Sequence, residues 1–175
     1  MAVYSTIKQK ELIKFLSKYQ IGSLKNFVGI LEGIENTNYK IITTEKDYIL
    51  TIFEKRVNTK ELPFFINLKN HLINKNFLCP KPISNKIGNF IEKINNKHCV
   101  LISFIEGEKT NNVLNEHCEQ VGQMLASLHN YTLDFKDRRK NGMNYVQWEK
   151  LFLKCKNSKS SKFLEIINII ENELL

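Results

Sequence analysis

Leu24-Lys-Asn-Phe-Val-Gly-Ile-Leu-Glu-Gly-Ile-Glu-Asn-Thr-Asn-Tyr-Lys-Ile-Ile-Thr43, followed across Glu45-Lys-Asp47 by Tyr48-Ile-Leu-Thr-Ile-Phe-Glu54, is the stretch that decides the fold. Branched and aromatic residues recur in short runs at about 24–31 (Leu24, Phe27, Val28, Ile30), 37–44 (Tyr39, Ile41, Ile42, Thr43) and 48–54. Such runs, bounded by polar or glycine-bearing turns, predict strands, and the polar turn at 45–47 makes the last two an antiparallel hairpin. Upstream, Thr6-Ile-Lys-Gln9 fits a capping box, and Leu12, Phe15, Leu16 and Tyr19 follow helical spacing, so a helix is expected over 7–19, ended by Gly22. Downstream, Asn58-Thr-Lys-Glu61 opens a helix over 59–76, with Pro63 tolerated in its first turn. Cys79-Pro-Lys-Pro82 forces an extended segment, because each proline drives its predecessor out of the helical region. Strands at 89–94 and 97–104 flank Asn95-Asn96, a dipeptide that accepts positive φ. Val121, Met124, Leu125 and Leu128 mark a helix from Asn115 to about Tyr131. The expected class is α+β: a five-stranded antiparallel sheet with one helix inserted after its third strand, then an extended joint and helices.

Composition narrows the function classes. The chain has 175 residues, 42% hydrophobic and 25% charged, with 7 Gly and 3 Pro, which suits one packed core and excludes disorder and fibres. Its net charge of +8 raises nucleic acid as a partner. Yet Lys carries nearly all of it, with Arg only at Arg56, Arg138 and Arg139, whereas a phosphate-binding surface favours the guanidinium fork. Nucleic acid is therefore not expected. Much of the excess lies between 132 and 162, read as a solvated face or as a surface for an acidic partner. No run approaches the roughly 20 apolar residues of a membrane span. Lys8, Lys10, Glu11, Lys14, Lys18 and Lys25 leave no leader pattern, so no membrane and a cytoplasmic location are expected. Cys79, Cys99, Cys118 and Cys155 lack any Cys-x-x-Cys spacing and are expected to be reduced, mostly buried thiols. His98-Cys99 and His117-Cys118 are neighbours whose side chains diverge, so neither pair is read as a metal site.

Two segments carry candidate chemistry. Gly29 and Gly33 lie between the first two strands, where absent side chains serve either a simple turn or bulge, or the close approach of backbone amides to a triphosphate. Ile102-Ser-Phe-Ile-Glu-Gly107 ends a strand in a short segment whose backbone N–H and C=O groups suit pairing with an adenine edge. A sheet, an inserted helix and this joint, in that order, have the layout of the small lobe of a kinase-like fold.

Seven pieces in order carry a more specific resemblance: Met1-Ala-Val-Tyr4, Gly29-Ile-Leu-Glu-Gly-Ile-Glu-Asn-Thr-Asn-Tyr39, Tyr48 to Arg56, Glu61-Leu-Pro-Phe-Phe65, Cys79-Pro-Lys-Pro82, Phe104-Ile-Glu-Gly107 and Gly122-Gln-Met-Leu-Ala-Ser-Leu-His129. Together with Asp134-Phe-Lys-Asp-Arg-Arg139 and Trp148-Glu-Lys-Leu-Phe152, the chain resembles the amino-terminal half of bacterial homoserine kinases of the aminoglycoside-phosphotransferase type. The resemblance implies ATP-dependent phosphorylation of the hydroxyl of L-homoserine, a step toward threonine, with Mg2+ spreading the charge. It implies a small lobe over 1–104, a hinge over 105–110 and the start of a large lobe over 111–175. Gly29, Gly33 and Asn36 would then belong to the phosphate cradle, and Ser103, Phe104, Ile105 and Glu106 to the adenine hinge. Thr51 stands where the wider kinase fold places a phosphate-pairing Lys; the resembled kinases often carry Thr there, and Lys40, Lys55 or Arg56 are alternative cations.

The His-Gly-Asp catalytic loop and the metal-binding Asn and Asp of such enzymes find no match. Asp47, Asp134 and Asp137 are none of them preceded by Gly, and Asn130 follows His129. No catalytic residue and no metal ligand is assigned; both are expected in a carboxy-terminal half. The apolar run Phe163, Leu164, Ile166, Ile167, Ile169, Ile170, Leu174 and Leu175 predicts a helix over 163–175 that must fold back, associate with itself or a companion chain, or pack on such a half, so the chain reads as truncated. The rival readings are a non-catalytic nucleotide- or partner-binding lobe, and a kinase for another small alcohol such as choline or an aminoglycoside.

Overall fold

The computed structural model describes residues 3–54, 57–142, 144–156 and 166–169. In chain order these form α1 (Gln9–Leu16), β1 (Leu24–Ile30), β2 (Thr37–Thr43), β3 (Asp47–Ile52), a 3-10 turn (Thr59–Glu61), α2 (Leu62–Asn74), β4 (Pro82–Ile83), β5 (Ile91–Ile94), β6 (Lys97–Ser103), α3 (Asn115–Thr132) and α4 (Tyr145–Lys156). They fall into two compact units, one running to Asp137 and the other starting at Arg138. The second contains α4 and a helical stretch at 166–169. The rest of the apolar run expected to be helical over 163–175 lies outside the described residues.

The first unit is built on an antiparallel sheet of order β1-β2-β3-β6, whose outer edge is completed by two short strands in series. β5 pairs with Lys97 to Val100 of β6, and β4 with Leu101 and Ile102. The sheet thus has six strands where five were expected. The sixth is a two-residue pairing in the Pro-bound extended segment, and proline, lacking an N–H, sits on the edge where no donor is demanded.

Strand alternation sorts the side chains. In β2 and β3 every second residue is buried, giving one face made of Tyr39, Ile41, Tyr48, Leu50 and Ile52, extended by Cys99 and Leu101 of β6. α1 covers this face with Leu12, Phe15 and Leu16. Large side chains buried there each contribute about 1.5–3 kcal/mol, so this layer dominates the unit's stability. α1 is shorter than the expected 7–19. It starts after Lys8, whose N–H donates to the Glu11 carboxylate at 3.3 Å, in place of a Thr6 cap. Gly22 follows with φ +75°, and a side chain there would meet the Thr44 hydroxyl at 2.5 Å. Asn95 and Asn96 adopt φ of 49° and 63°, the tight turn expected of them.

α2 begins as a 3-10 turn, the Asn58 side chain accepting from the Lys60 N–H at 3.2 Å. The end of α3 and the residues after it fasten α2. His71 Nε2 donates to the Tyr131 carbonyl at 2.8 Å, Lys75 meets Asp134 at 2.5 Å, Asn67 donates to Asp137 at 2.8 Å, and Phe135 packs against Phe64 and His71. The Lys75 ammonium holds the Asp134 carboxyl below its ordinary range.

α3 itself departs from expectation. Its apolar stripe reads as core, yet none of its residues is buried; Val121 is 59% and Leu125 50% exposed. Among the described cysteines, Cys99 is buried, Cys79 half-buried and Cys118, on α3, exposed, which corrects the expectation of mostly buried thiols. Burial and the nearby Glu92 carboxylate push the Cys99 thiol up to about 12.

One polar cluster ties the sheet together. The Glu54 carboxylate, just past β3, accepts from the Ser5 hydroxyl at 2.6 Å, the Thr37 hydroxyl at 2.8 Å and the Lys97 ammonium. Lys97 also donates to Ser5 Oγ at 2.7 Å. Burial by itself would raise the Glu54 pKa; the donors from Lys97, Ser5 and Thr37, with the Lys97 charge, outweigh it and hold the group below its ordinary 4.5. A carboxyl depressed by folding stabilises above its unfolded pKa and loses that contribution as pH falls through its folded one. Glu54→Gln is expected to cost about 1–3 kcal/mol at pH 7, and the gap from wild type should narrow as pH drops below about 4.5. Urea unfolding of both proteins across that range checks it.

Candidate functional site

The sheet face turned away from α1 carries the alternate residues of the same strands. Asn38 and Lys40 of β2 lie opposite Thr51 and Ile49 of β3. At the end of this face, the Thr51 hydroxyl donates to Asn38 Oδ1 at 2.8 Å. Asn38 thereby keeps its NH2 group free of protein partners among the described residues, and two N–H donors on a half-exposed face can hold an anion. Asn38 was not singled out from the sequence. Counting outward from the 45–47 turn would have set Ile41 across from Thr51; the chain instead turns over 43–46, pairing Ile42 with Asp47, and this brings Asn38 opposite Thr51.

Lys40, one of the three cations considered, is engaged. Its ammonium pairs with Asp47 at 3.0 Å and lies 4.0 Å from the centre of the Phe104 ring. Lys55 and Arg56 lie outside the described residues. α2 carries no Asp or Glu, and β3 no Lys. The Thr51–Asn38 pair is the polar contact across these strands at this end of the face.

Between β1 and β2, residues 31–36 form an exposed loop with Leu31 and Ile34 pointing to solvent. Gly33 sits at φ +111°, where glycine alone is unstrained. Asn36 Oδ1 is buried and has no hydrogen-bond partner among the described residues. Gly29 has a different reason to be glycine. It belongs to β1, opposite Tyr39, and an added Cβ would meet Val3 Cγ2 at 2.9 Å. Its absent side chain makes room for the amino-terminal segment on the α1 face of the sheet.

At the far end of β6, Ser103 and Lys81 clasp each other: the Ser103 N–H donates to the Lys81 carbonyl, and the Lys81 N–H to Ser103 Oγ, both at 2.8 Å. The Phe104 N–H donates to the Asp47 carbonyl at 3.1 Å. Those two donors are committed. The N–H groups of Ile105 and Glu106 have no protein partner among the described residues. No group of three or more His, Cys, Asp or Glu side chains that could hold a metal is found among the described residues.

An antiparallel sheet with α2 after its third strand, a glycine loop at one end and an open backbone segment at the other define the small lobe of a kinase-like phosphotransferase. The chain belongs to the phosphotransferase enzyme family, whose profile matches residues 26–173. It is 41% identical over 157 residues to a homoserine kinase of Parvibaculum lavamentivorans, covering 90% of this chain and 49% of that protein. With the homoserine kinase of Bartonella henselae it shares 38% identity over 174 residues, covering 99% of this chain and 54% of the other. The chain spans about half the length of these curated relatives. Among solved structures, the spectinomycin phosphotransferase complex with ADP and spectinomycin aligns with a TM-score of 0.63 at 16% identity, over 90% of this chain and 50% of that one. A microcompartment-associated aminopropanol kinase aligns with a TM-score of 0.59 at 14% identity, over 83% and 49%. No described helix is long and apolar enough to cross a membrane.

Thr51→Val deletes the donor to Asn38 while keeping the strand's branched shape. The expected cost is about 0.5–1.5 kcal/mol by urea unfolding with an unchanged circular dichroism spectrum, and Thr51→Ser should recover most of it.

Proposed function

We propose that this chain is the nucleotide-binding half of a homoserine kinase, which transfers the terminal phosphoryl group of ATP to the hydroxyl of L-homoserine. The observation that carries the reading is sequence identity of 38–41% with homoserine kinases along 90–99% of the chain. The alternative acceptors, an aminoglycoside or an amino alcohol, rest on structural neighbours only 14–16% identical, which speak for the fold alone.

Bound ATP would supply the phosphoryl donor, and the residues on this chain suit its two ends. The loop of Gly33 and Asn36 suits the phosphates because glycine permits its turn and a close backbone approach; the buried Asn36 Oδ1, an acceptor, suits a water or another donor beside them. The Asn38 NH2 group, oriented by the Thr51 hydroxyl that donates to its Oδ1, adds neutral donors suited to phosphate oxygens without a paired Lys. Gly29 supports this cradle through packing. In the hinge, Ile105 and Glu106 retain the free N–H groups that suit an adenine edge, while Ser103 and Phe104 hold the segment in place. The positioning of the attacking hydroxyl and of Mg2+ is assigned to the remaining half of the family's length. That half is also the proposed cover for the exposed α3 stripe of Val121, Met124 and Leu125. A small lobe over 1–104 with a hinge over 105–110 remains the domain reading.

Calorimetry with ATP and magnesium is expected to give saturable binding to this chain, without phosphate transfer to L-homoserine. Joined to the carboxy-terminal half of the Parvibaculum lavamentivorans enzyme, it should phosphorylate L-homoserine in preference to choline or an aminoglycoside. Turnover by residues 1–175 alone, or preference for another alcohol, would overturn the assignment.

A further inference from the structure

The amino-terminal segment Val3-Tyr-Ser5 lies across the root of the 31–36 loop. Thr37 Oγ1, directly after the loop, accepts from the Tyr4 N–H at 3.0 Å and the Ser5 N–H at 3.1 Å. The Ser5 carbonyl accepts from the Tyr39 hydroxyl at 2.8 Å, and Ser5 Oγ joins the Glu54 cluster. Val3 fills the space left by the missing side chain of Gly29. Both ends of the segment are therefore anchored to β1 and β2, and its own position is fixed. From this base one group reaches forward. The Tyr4 hydroxyl donates to the Ile34 carbonyl at 3.1 Å, next to Gly33 and its φ of +111°. Among the described residues no other hydrogen bond reaches positions 31–35. Tyr4 is 56% exposed, so its ring is not there to fill the core.

We propose that Tyr4 is a positioning residue that tethers the phosphate loop in its binding conformation, an inference that rests on the nucleotide reading above. A glycine-bearing loop without such a tether must be ordered when ligand arrives, and that ordering subtracts from affinity. Holding the Ile34 carbonyl in advance removes part of that penalty. The tether acts on the phosphate end of the ligand, because it touches only the loop.

The test uses the full 175-residue chain and Tyr4→Phe, which keeps the ring and removes the donor. Cleavage by a Glu-specific protease at Glu32 and Glu35 without nucleotide should quicken about two- to tenfold, the range one exposed neutral hydrogen bond supports. Affinity for ATP and ADP should fall by the same factor, with adenosine binding within twofold of wild type and the thermal midpoint unchanged. Unchanged cleavage in the loop overturns the proposal. So does an equal loss for adenosine and ATP, which would mark a general structural defect, or faster cleavage with undiminished ATP affinity. Should wild type bind no ATP, the nucleotide reading fails separately, and the cleavage arm alone decides whether Tyr4 tethers the loop.

Discussion

A carboxylate in a half-apolar setting persists only where enough donors converge on it, and Glu54 is the point at which this chain satisfies that constraint. Its three donors come from the segment before α1, the first residue of β2 and the first residue of β6. These segments are remote in sequence, so the cluster forms only when the strand ends are aligned. The same alignment sets where the 31–36 loop leaves the sheet, because Thr37 is at once a donor to Glu54 and the acceptor for two amino-terminal N–H groups. Register, loop root and amino-terminal segment are therefore one problem with one solution. Hydrophobic burial on the α1 face stabilises the sheet, and the polar cluster decides its precise pairing.

Most of the sheet was legible in the sequence because its strands alternate. Tyr39, Ile41, Tyr48, Leu50 and Ile52 announce a face buried on one side, and the Asn95-Asn96 turn announces its own geometry. Elements governed by a single contact were not legible. β4 is two residues long and exists because β6 has edge left over beyond β5. The start of α1 was misplaced at Thr6 because Glu11, three residues after Lys8, does the capping. α4 was not anticipated, its pattern being too mixed for a clear stripe.

The candidate site divides in the same way. Gly33 was legible as a glycine that a turn requires, and the 103–106 segment as a strand end. Which N–H groups stay free there depends on Lys81 and Asp47, both distant along the chain. The roles of Gly29 and Asn38 depend on what stands across the strand. The Asn38 partner of Thr51 was likewise hidden, because it depends on the β2–β3 register. The α3 stripe misled in the opposite sense: helical periodicity identifies the face that wants a cover, and says nothing of whether the cover lies within the same 175 residues.

β6 has a consequence for how the chain comes into being on the ribosome. It pairs with β3 on one side and with both β4 and β5 on the other, Tyr48 meeting Ser103 and Ile52 meeting Cys99 across the whole of α2. Until residues near 103 have left the exit tunnel, the β1-β2-β3 meander shows a bare inner edge, with its hydrogen-bonding groups open to any passing strand. Once they have, the sheet closes in a single event that needs nothing made later. Nascent polypeptide would thus secure this sheet early, and the vulnerable interval in synthesis is the one that spans α2.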